Sequence, residues 1–280
     1  MKKDKDTFQQ TLVIKPCRRW IGLDFSEIWG YRELLLFLVL RDIKVRYKQT
    51  ILGVTWAIIQ PVMMMVVFSL FFGRFIKVYS SGVPYPLFTY AALLPWVTFT
   101  ESISRSVNSL VQDANLVKKI YFPRLIMPLA GVLSPWVDFA FSFVVFLGLM
   151  LYFGIVPTIK IIFLPVFILL EVGLAFGVSL WLSALNVLYR DVRYAVPFIL
   201  QFWFFSSPVV YASESLPSSW RLFYNLNPMV VVIDGFRWVL LAGNSPFPQG
   251  LFIALASILL ILLAGLFYFR RMERLFADIV

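Results

Sequence analysis

The sequence predicts an all-α integral membrane protein with six transmembrane helices, and three observations support this fold class. Of the 280 residues, 60% are hydrophobic and only 14% are charged, whereas soluble domains contain about a quarter charged residues. The apolar residues form six long stretches with few charges. The net charge of +10 comes from basic residues clustered in a few connecting segments, a pattern typical of membrane-protein loops that stay in the cytoplasm.

Residues 1–30 predict a polar cytoplasmic tail, because they lack the apolar stretch of a cleavable signal peptide. We expect residues 31–280 to form a single transmembrane domain. The lone cysteine, Cys17, excludes an internal disulfide and any multi-cysteine metal site. The absence of histidine removes the commonest general base and metal ligand. We therefore predict neither a catalytic residue nor a metal site.

The stretch 31–49 predicts an amphipathic helix lying in the membrane interface. Helical spacing places its apolar side chains on one face: Leu36, Leu40, Ile43 and Tyr47. Its second half is basic and carries Arg41, Lys44, Arg46 and Lys48. An apolar face beside clustered cations is typical of helices that bind anionic lipid headgroups. We therefore expect this interface helix to lie along the cytoplasmic surface of the membrane.

The six apolar stretches predict transmembrane helices at about 51–73, 86–110, 126–153, 159–188, 195–211 and 251–269. The first has no charged residue and would be about 35 Å long at 1.5 Å per residue, enough to cross a bilayer. Pro61 in its middle predicts a kink. The fifth is rich in aromatic residues.

Three of the predicted spans contain charged residues. Glu101 and Arg105 are four residues apart, so a helix would bring them together as an ion pair. Asp138 and Glu171 are isolated carboxylates, each costing roughly 2.5–3.5 kcal/mol near mid-membrane, and should face protein or water. Each one indicates either a polar position on a transport pathway or a hydrogen bond between helices.

A re-entrant segment is predicted at 213–246, between the last two spans. Residues 229–241 are almost entirely apolar but too few to span, and Asp234 and Arg237 interrupt them. Asn227 and Pro228 predict the helix start, and Gly243 predicts its end. A short apolar helix of this kind is typical of re-entrant or interfacial segments.

The basic residues predict the orientation of the chain in the membrane. Most of the 25 lysine and arginine residues fall before the first span, in the even-numbered connections or after the last span. The opposite side would carry only Arg74, Lys77, Lys160, Arg221 and Arg237. This asymmetry predicts that both termini are cytoplasmic.

The chain contains no G-x-x-x-x-G-K-[ST] motif, the loop that holds ATP phosphates in many motors. If transport is driven by ATP, we expect hydrolysis on another chain. Three basic cytoplasmic surfaces could contact such a partner: the interface helix, the polar segment 113–124 and the loop 189–194.

Four motifs carry a resemblance to the membrane subunit of ABC-2 type polysaccharide exporters, especially its O-antigen branch. They are YRELL followed by RDIKVRYKQTILGVTWAIIQP, then NSLVQDANLVKKIYFPRLIMPLAG, NVLYRDVRYAVPFILQFWFFSSPVVY and LNPMVVVIDGFRWVLL. The resemblance covers about 29–271. It implies a homodimer in the cell inner membrane, joined to two ATPase subunits that bind ATP and magnesium. The implied substrate is an undecaprenyl-linked polysaccharide, and no cofactor is expected on this chain.

The resemblance also implies roles for particular residues. The segment 113–124 would insert into the ATPase through Asn115, Lys118, Lys119, Tyr121, Phe122 and Arg124. The interface helix would gate access of the lipid head through Arg41, Lys44, Arg46 and Lys48. The 226–241 stretch matches part of a re-entrant pair of helices between the last two spans that forms a periplasmic gate, with Pro228, Asp234 and Arg237. Aromatic rings that would guide the sugar chain are Trp56, Phe68, Phe71, Phe72, Phe198, Phe202, Trp203 and Phe205.

Other functions are compatible with parts of this pattern. The same superfamily exports capsule, teichoic acid, drugs and lipids. A membrane-embedded glycosyl- or acyltransferase is a different class, and such enzymes gather carboxylates or histidine at one membrane face. This chain has no histidine, and its acidic residues are scattered.

Overall fold

The computed structural model describes residues 25–48, 53, 55–80, 82–215, 217, 224–241 and 249–279. Within these ranges the chain is helical and contains no β-strand, which confirms the all-α fold class. Its α-helices, in chain order, are α1 Phe25–Gly30, α2 Arg32–Lys48, α3 Thr55–Phe68, α4 Tyr85–Gln112, α5 Ala114–Lys119, α6 Ile126–Leu133, α7 Trp136–Tyr152, α8 Leu164–Leu188, α9 Val192–Phe205, α10 Pro228–Leu241 and α11 Gln249–Ile279. A π-helix, Ser69–Phe75, continues α3, and 3-10 helices lie at Ile159–Phe163 and Ser213–Ser215. Cys17 and most of the tail, Arg221 and the predicted helix end at Gly243 lie outside the described residues.

Four of the predicted spans correspond to segments that are long and apolar enough to cross a bilayer. They are Thr55–Phe75, Ile126–Tyr152, Ile159–Leu188 and Gly250–Phe276. The predicted second span corresponds to α4, which has 28 residues but mixes tyrosine, threonine and serine with its apolar side chains. The predicted fifth span corresponds to α9, whose 14 residues extend about 21 Å, less than the ~30 Å hydrocarbon core. The count of six spans therefore stays a prediction.

The mixed composition of α4 follows from its place at the centre of the bundle. It packs against α3, α6, α7, α8 and α10, and most of its side chains are buried. A helix surrounded by other helices does not face lipid, so its polar groups can bond to neighbouring backbone. The hydroxyls of Ser102 and Ser106 donate to the carbonyl oxygens of Val132 and Pro128, at 3.0 and 2.9 Å.

Two predicted spans differ from the continuous helices that we expected. The predicted span 126–153 is divided into α6 and α7 by a turn at 134–135, where Pro135 has no N–H to continue the hydrogen-bond ladder. The predicted span 195–211 ends early, because α9 stops at Phe205 and turns follow. Pro208 disfavours helical geometry in the residue before it, which limits this helix.

Glycines allow two pairs of helices to approach closely. In the contact of α8 with α11, a Cβ atom added at Gly265 would lie 2.6 Å from the carbonyl oxygen of Gly177. In the contact of α4 with α6, a Cβ atom at Gly131 would lie 2.7 Å from the Cα of Ser106. Close backbone contact at small residues is the common way in which membrane helices associate.

A hydrophobic cluster at one end of the molecule joins the segments that are predicted to be cytoplasmic. Four side chains buried in it come from different segments: Leu38 from α2, Val117 from α5, Phe122 from the stretch after α5, and Phe276 from α11. Val187, just before the basic loop 189–194, belongs to the same cluster. The interface helix, the 113–124 segment and the C-terminal helix therefore lie together.

Candidate functional site

The 113–124 segment exposes its cations and buries its apolar anchors. Asn115, Lys118 and Lys119 are exposed, and Tyr121 is 63% exposed. By contrast, Phe122 is only 5% exposed and packs in the hydrophobic cluster. Phe122 therefore anchors the segment within this chain, whereas the resemblance implied that it contacts the ATPase.

Two polar contacts fix this segment to the helices on either side. Arg41 of α2 donates to both carboxylate oxygens of Asp113, with Nη1–Oδ1 at 2.9 Å and Nη2–Oδ2 at 2.5 Å. This hydrogen bond raises the pKa of Arg41 above its usual value. At the other end, the backbone N–H of Arg124 donates to Oε1 of Glu273 at 3.3 Å, and the Arg124 guanidinium bonds the Glu273 carbonyl. Arg124 therefore acts within the chain, as a link to α11.

The four cations of the interface helix divide into two groups. Arg41 and Arg46 are partly buried and form ion pairs with carboxylates. Lys44 and Lys48 are exposed. Their availability to anionic headgroups fits the expected interface role, whereas the two arginines hold the helix against the bundle.

Arg46 lines a cleft of about 240 Å³ between α2, α3, α4 and α7, which we call the polar cleft after its four charged side chains, Arg46, Glu101, Arg105 and Asp138. It pairs with Asp138 of α7 and, at 3.4 Å, with Oε2 of Glu101 on α4. Arg105 Nε lies 3.3 Å from the same Glu101 oxygen, which confirms the predicted ion pair four residues apart. Tyr47 donates its hydroxyl to Asp138. The chain of groups Arg105, Glu101, Arg46 and Asp138 thus joins three helices.

The outer wall of the polar cleft comes from α3. Trp56 is 55% exposed, and Gln60, one helical turn further, is also exposed and lines the cleft. The hydroxyl of Ser142 on α7 donates to the carbonyl of Ala57 at 2.8 Å, and both residues line the cleft. Asp138 bonds to another helix, as one of its two interpretations predicted, and it also lines the polar cleft. Its place on a transport pathway stays a prediction.

Glu171 on α8, unlike Asp138, has no polar partner among the described residues. Its side chain is fully buried, and neither carboxylate oxygen has a hydrogen-bond partner in the part of the chain that the structure describes. The expected hydrogen bond between helices is therefore absent from the described residues.

A helix is present in the predicted re-entrant segment as α10, and it is enclosed by protein on nearly all sides. It begins at Pro228 as expected, and Asn227 caps it by accepting the Met229 N–H at 3.1 Å. Trp203 donates to the same Asn227 oxygen at 2.9 Å. The burial of α10 among other helices leaves both the re-entrant and the interfacial placement as predictions.

Arg237 fixes α10 to its neighbours. It is 5% exposed and donates to the carbonyls of Val209, Tyr211 and Phe88, at 2.9, 3.2 and 3.3 Å. Asp234 lies 3.8 Å away and accepts a hydrogen bond from Ser213 at 2.6 Å. These contacts satisfy a buried charge, so Arg237 is a structural link as well as a gate candidate.

The eight candidate channel aromatics also fall into two groups. Five are exposed: Trp56, Phe71, Phe198, Phe202 and Phe205. Phe68 stacks on Phe204 with ring centroids 5.6 Å apart, and Phe72 contacts Phe68 edge to face. Trp203 packs edge to face on Phe99 at 5.2 Å. The packed rings hold α3 and α9 against the core, and the exposed rings remain the candidates for contacts outside this chain.

Sequence reasoning missed the long-range partners Asp113 and Glu273. Each is an acidic residue inside or beside a basic segment. A single carboxylate among basic residues is the signal that could have identified these two partners.

Comparison with known proteins connects this arrangement to a family. The sequence model described as ABC-2 type transporter matches residues 33–241. The O-antigen export system permease protein RfbA of Myxococcus xanthus is 30% identical over 253 residues, covering 88% of this chain and 96% of that protein. The protein of the same name from Klebsiella pneumoniae is 27% identical, with 89% and 95% covered. The polysialic acid transport protein KpsM of Escherichia coli is 22% identical, with 74% and 80% covered. The chain belongs to the ABC-2 type transporter family.

Proposed function

We propose that this chain is the membrane permease of an ATP-driven exporter that moves a lipid-linked polysaccharide of the O-antigen type out of the cytoplasm. The observation that carries the proposal is the similarity to an O-antigen export permease along 96% of that protein's length. The weaker similarity to a polysialic acid transport protein supports export of a polysaccharide but leaves capsule as the alternative cargo.

ATP hydrolysis is assigned to separate ATPase subunits, two of them on a homodimer of this chain. The absence of a phosphate-binding loop motif and the exposed cations of the 113–124 segment support this assignment. Lys118 and Lys119, with the neighbouring Asn115 and Tyr121, form the proposed ATPase contact. Phe122 and Arg124 keep the segment in position for that contact.

The same end of the molecule is assigned to the cytoplasm, with both termini on that side of the inner membrane. The grouping of α2, the 113–124 segment and α11 at one end supports this orientation, because all three are basic. Lys44 and Lys48 are the cations available to an anionic lipid head. On the opposite side, Pro228, Asp234 and Arg237 belong to the proposed gate around α10.

The test is deletion of the gene, followed by measurement of two glycan pools. We expect surface polysaccharide to disappear while finished lipid-linked chains accumulate inside the cell, and the accumulated glycan identifies the cargo. A cell that makes no polymer at all would support a transferase instead. Two normal pools would refute polysaccharide export.

A further inference from the structure

The polar cleft places four charged groups in a site of zero formal net charge. Its two guanidinium groups, Arg46 and Arg105, face its two carboxylates, Glu101 and Asp138. Charged groups within membrane-spanning helices are costly and usually mark a structural link or a functional site. Ion pairs that only link helices need no open cavity and no exposed charged group beside them. Here a cavity remains next to the pairs, and the Glu101 side chain is still 38% exposed.

The charge balance decides which chemistry fits the cleft. A phosphate or an acidic sugar would have to approach two carboxylates, and both arginines are already paired with these carboxylates. A neutral group rich in hydroxyls meets no such repulsion. Its hydroxyls can donate to carboxylates, the strongest acceptors available, and accept from guanidinium and amide N–H groups.

The wall from α3 adds an aromatic surface and an amide. Trp56 offers a large, rigid ring for the C–H faces of a sugar, and Gln60 on the same side of α3 offers both a donor and an acceptor. Both line the cleft and both are exposed. The volume of about 240 Å³ lies below the ~300–1,000 Å³ of sites for drug-sized ligands, so the cleft has room for one ring and not for a chain.

We propose that the polar cleft is a subsite for one neutral sugar residue of the glycan, bound between the Trp56 ring and the carboxylates of Glu101 and Asp138. The assignment of a sugar rests on the proposed export function. Beyond that function, the subsite would favour an uncharged over an acidic sugar unit, and Trp56, Glu101 and Asp138 would contact this unit.

The test measures binding of two probes to the full chain in lipid nanodiscs by saturation-transfer NMR. The probes are a neutral mannose trisaccharide and a trisaccharide of sialic acid. The variants are Trp56→Ala and Gln60→Leu; both side chains are exposed, so the fold should be retained. Trp29→Ala is the matched control, because Trp29 is 69% exposed and does not line the cleft.

We expect the neutral probe to bind, each cleft variant to bind it about three- to tenfold more weakly, and Trp29→Ala to bind it as the original chain does. The acidic probe should show no saturation transfer that depends on Trp56. Unchanged binding of the neutral probe in both cleft variants would overturn the subsite, as would no binding of it by the original chain or preferential binding of the acidic probe in the cleft. Restoration of surface polysaccharide by the original gene in the deletion strain tests export separately.

Discussion

The ion pair between Arg41 and Asp113 gives the sharpest prediction, because it joins the interface helix to the start of the proposed ATPase contact. The two side chains are 33% and 22% exposed and share two hydrogen bonds, at 2.9 and 2.5 Å. Hydrogen bonds between charged groups contribute about 1.5–3 kcal/mol, and exposed ion pairs about 0–1 kcal/mol. Partial exposure places the coupling energy of this pair at about 1–2 kcal/mol.

The assay is a double-mutant cycle with Arg41→Gln, Asp113→Asn and both together. The free energy of unfolding is measured in mixed detergent micelles for the four proteins. We expect each single substitution to destabilise the protein, and the double variant to be more stable than the sum of the two losses predicts. Effects that add within about 0.3–0.5 kcal/mol would refute the coupling.

Exchange of the two charges tests whether the pair matters for transport as well as for stability. We expect Arg41→Asp or Asp113→Arg alone to reduce surface polysaccharide in the deletion strain. The two substitutions together should restore it in part, because the charges again attract each other across the same helices while Asp42 loses its own contact with Arg41. Failure of the exchanged pair to restore export, in a protein whose stability has recovered, would show that the pair only stabilises the fold.

Two further predictions concern a close contact and a docking surface. A Cβ atom at Gly235 would lie 2.1 Å from the ring of Phe167, so Gly235→Ala should destabilise the protein by about 1–3 kcal/mol through overpacking, measured as a lower unfolding temperature. Gly148→Ala, where a Cβ meets nothing within 4 Å, is the control, and equal effects would contradict the packing of α10 on α8. Reversal of charge at Lys118 and Lys119 should abolish export and co-purification of the ATPase while membrane insertion stays normal; an undiminished surface glycan would argue against the docking role.

Local sequence patterns predicted the parts of the fold that depend on neighbouring residues. A helix was expected at 31–49 and is found at Arg32–Lys48, whereas its place in the membrane interface stays a prediction. The start of α10 follows from Asn227 and Pro228, whose capping and backbone geometry act within one turn. The ion pair of Glu101 with Arg105 follows from helical spacing alone.

Contacts between distant segments were beyond the reach of the same patterns. Asp138 is separated from Arg46 and Tyr47 in the chain by α3, α4, α5 and α6, and only helix packing brings them together. Hydropathy could not reveal the central place of α4, because it measures only how apolar a segment is. It does not tell whether the segment is surrounded by other helices or by lipid. For the same reason, sequence could not separate the exposed Phe202 from the packed Trp203.

The most direct test of ATP-driven export uses inverted membrane vesicles that contain this chain, its ATPase and lipid-linked glycan. ATP is added, and the fraction of glycan protected from a glycosidase that cannot cross membranes is measured. The account predicts that protection rises with ATP and is lost without this chain or with Lys118 and Lys119 reversed in charge. Protection that arises equally without ATP, or without this chain, would contradict it.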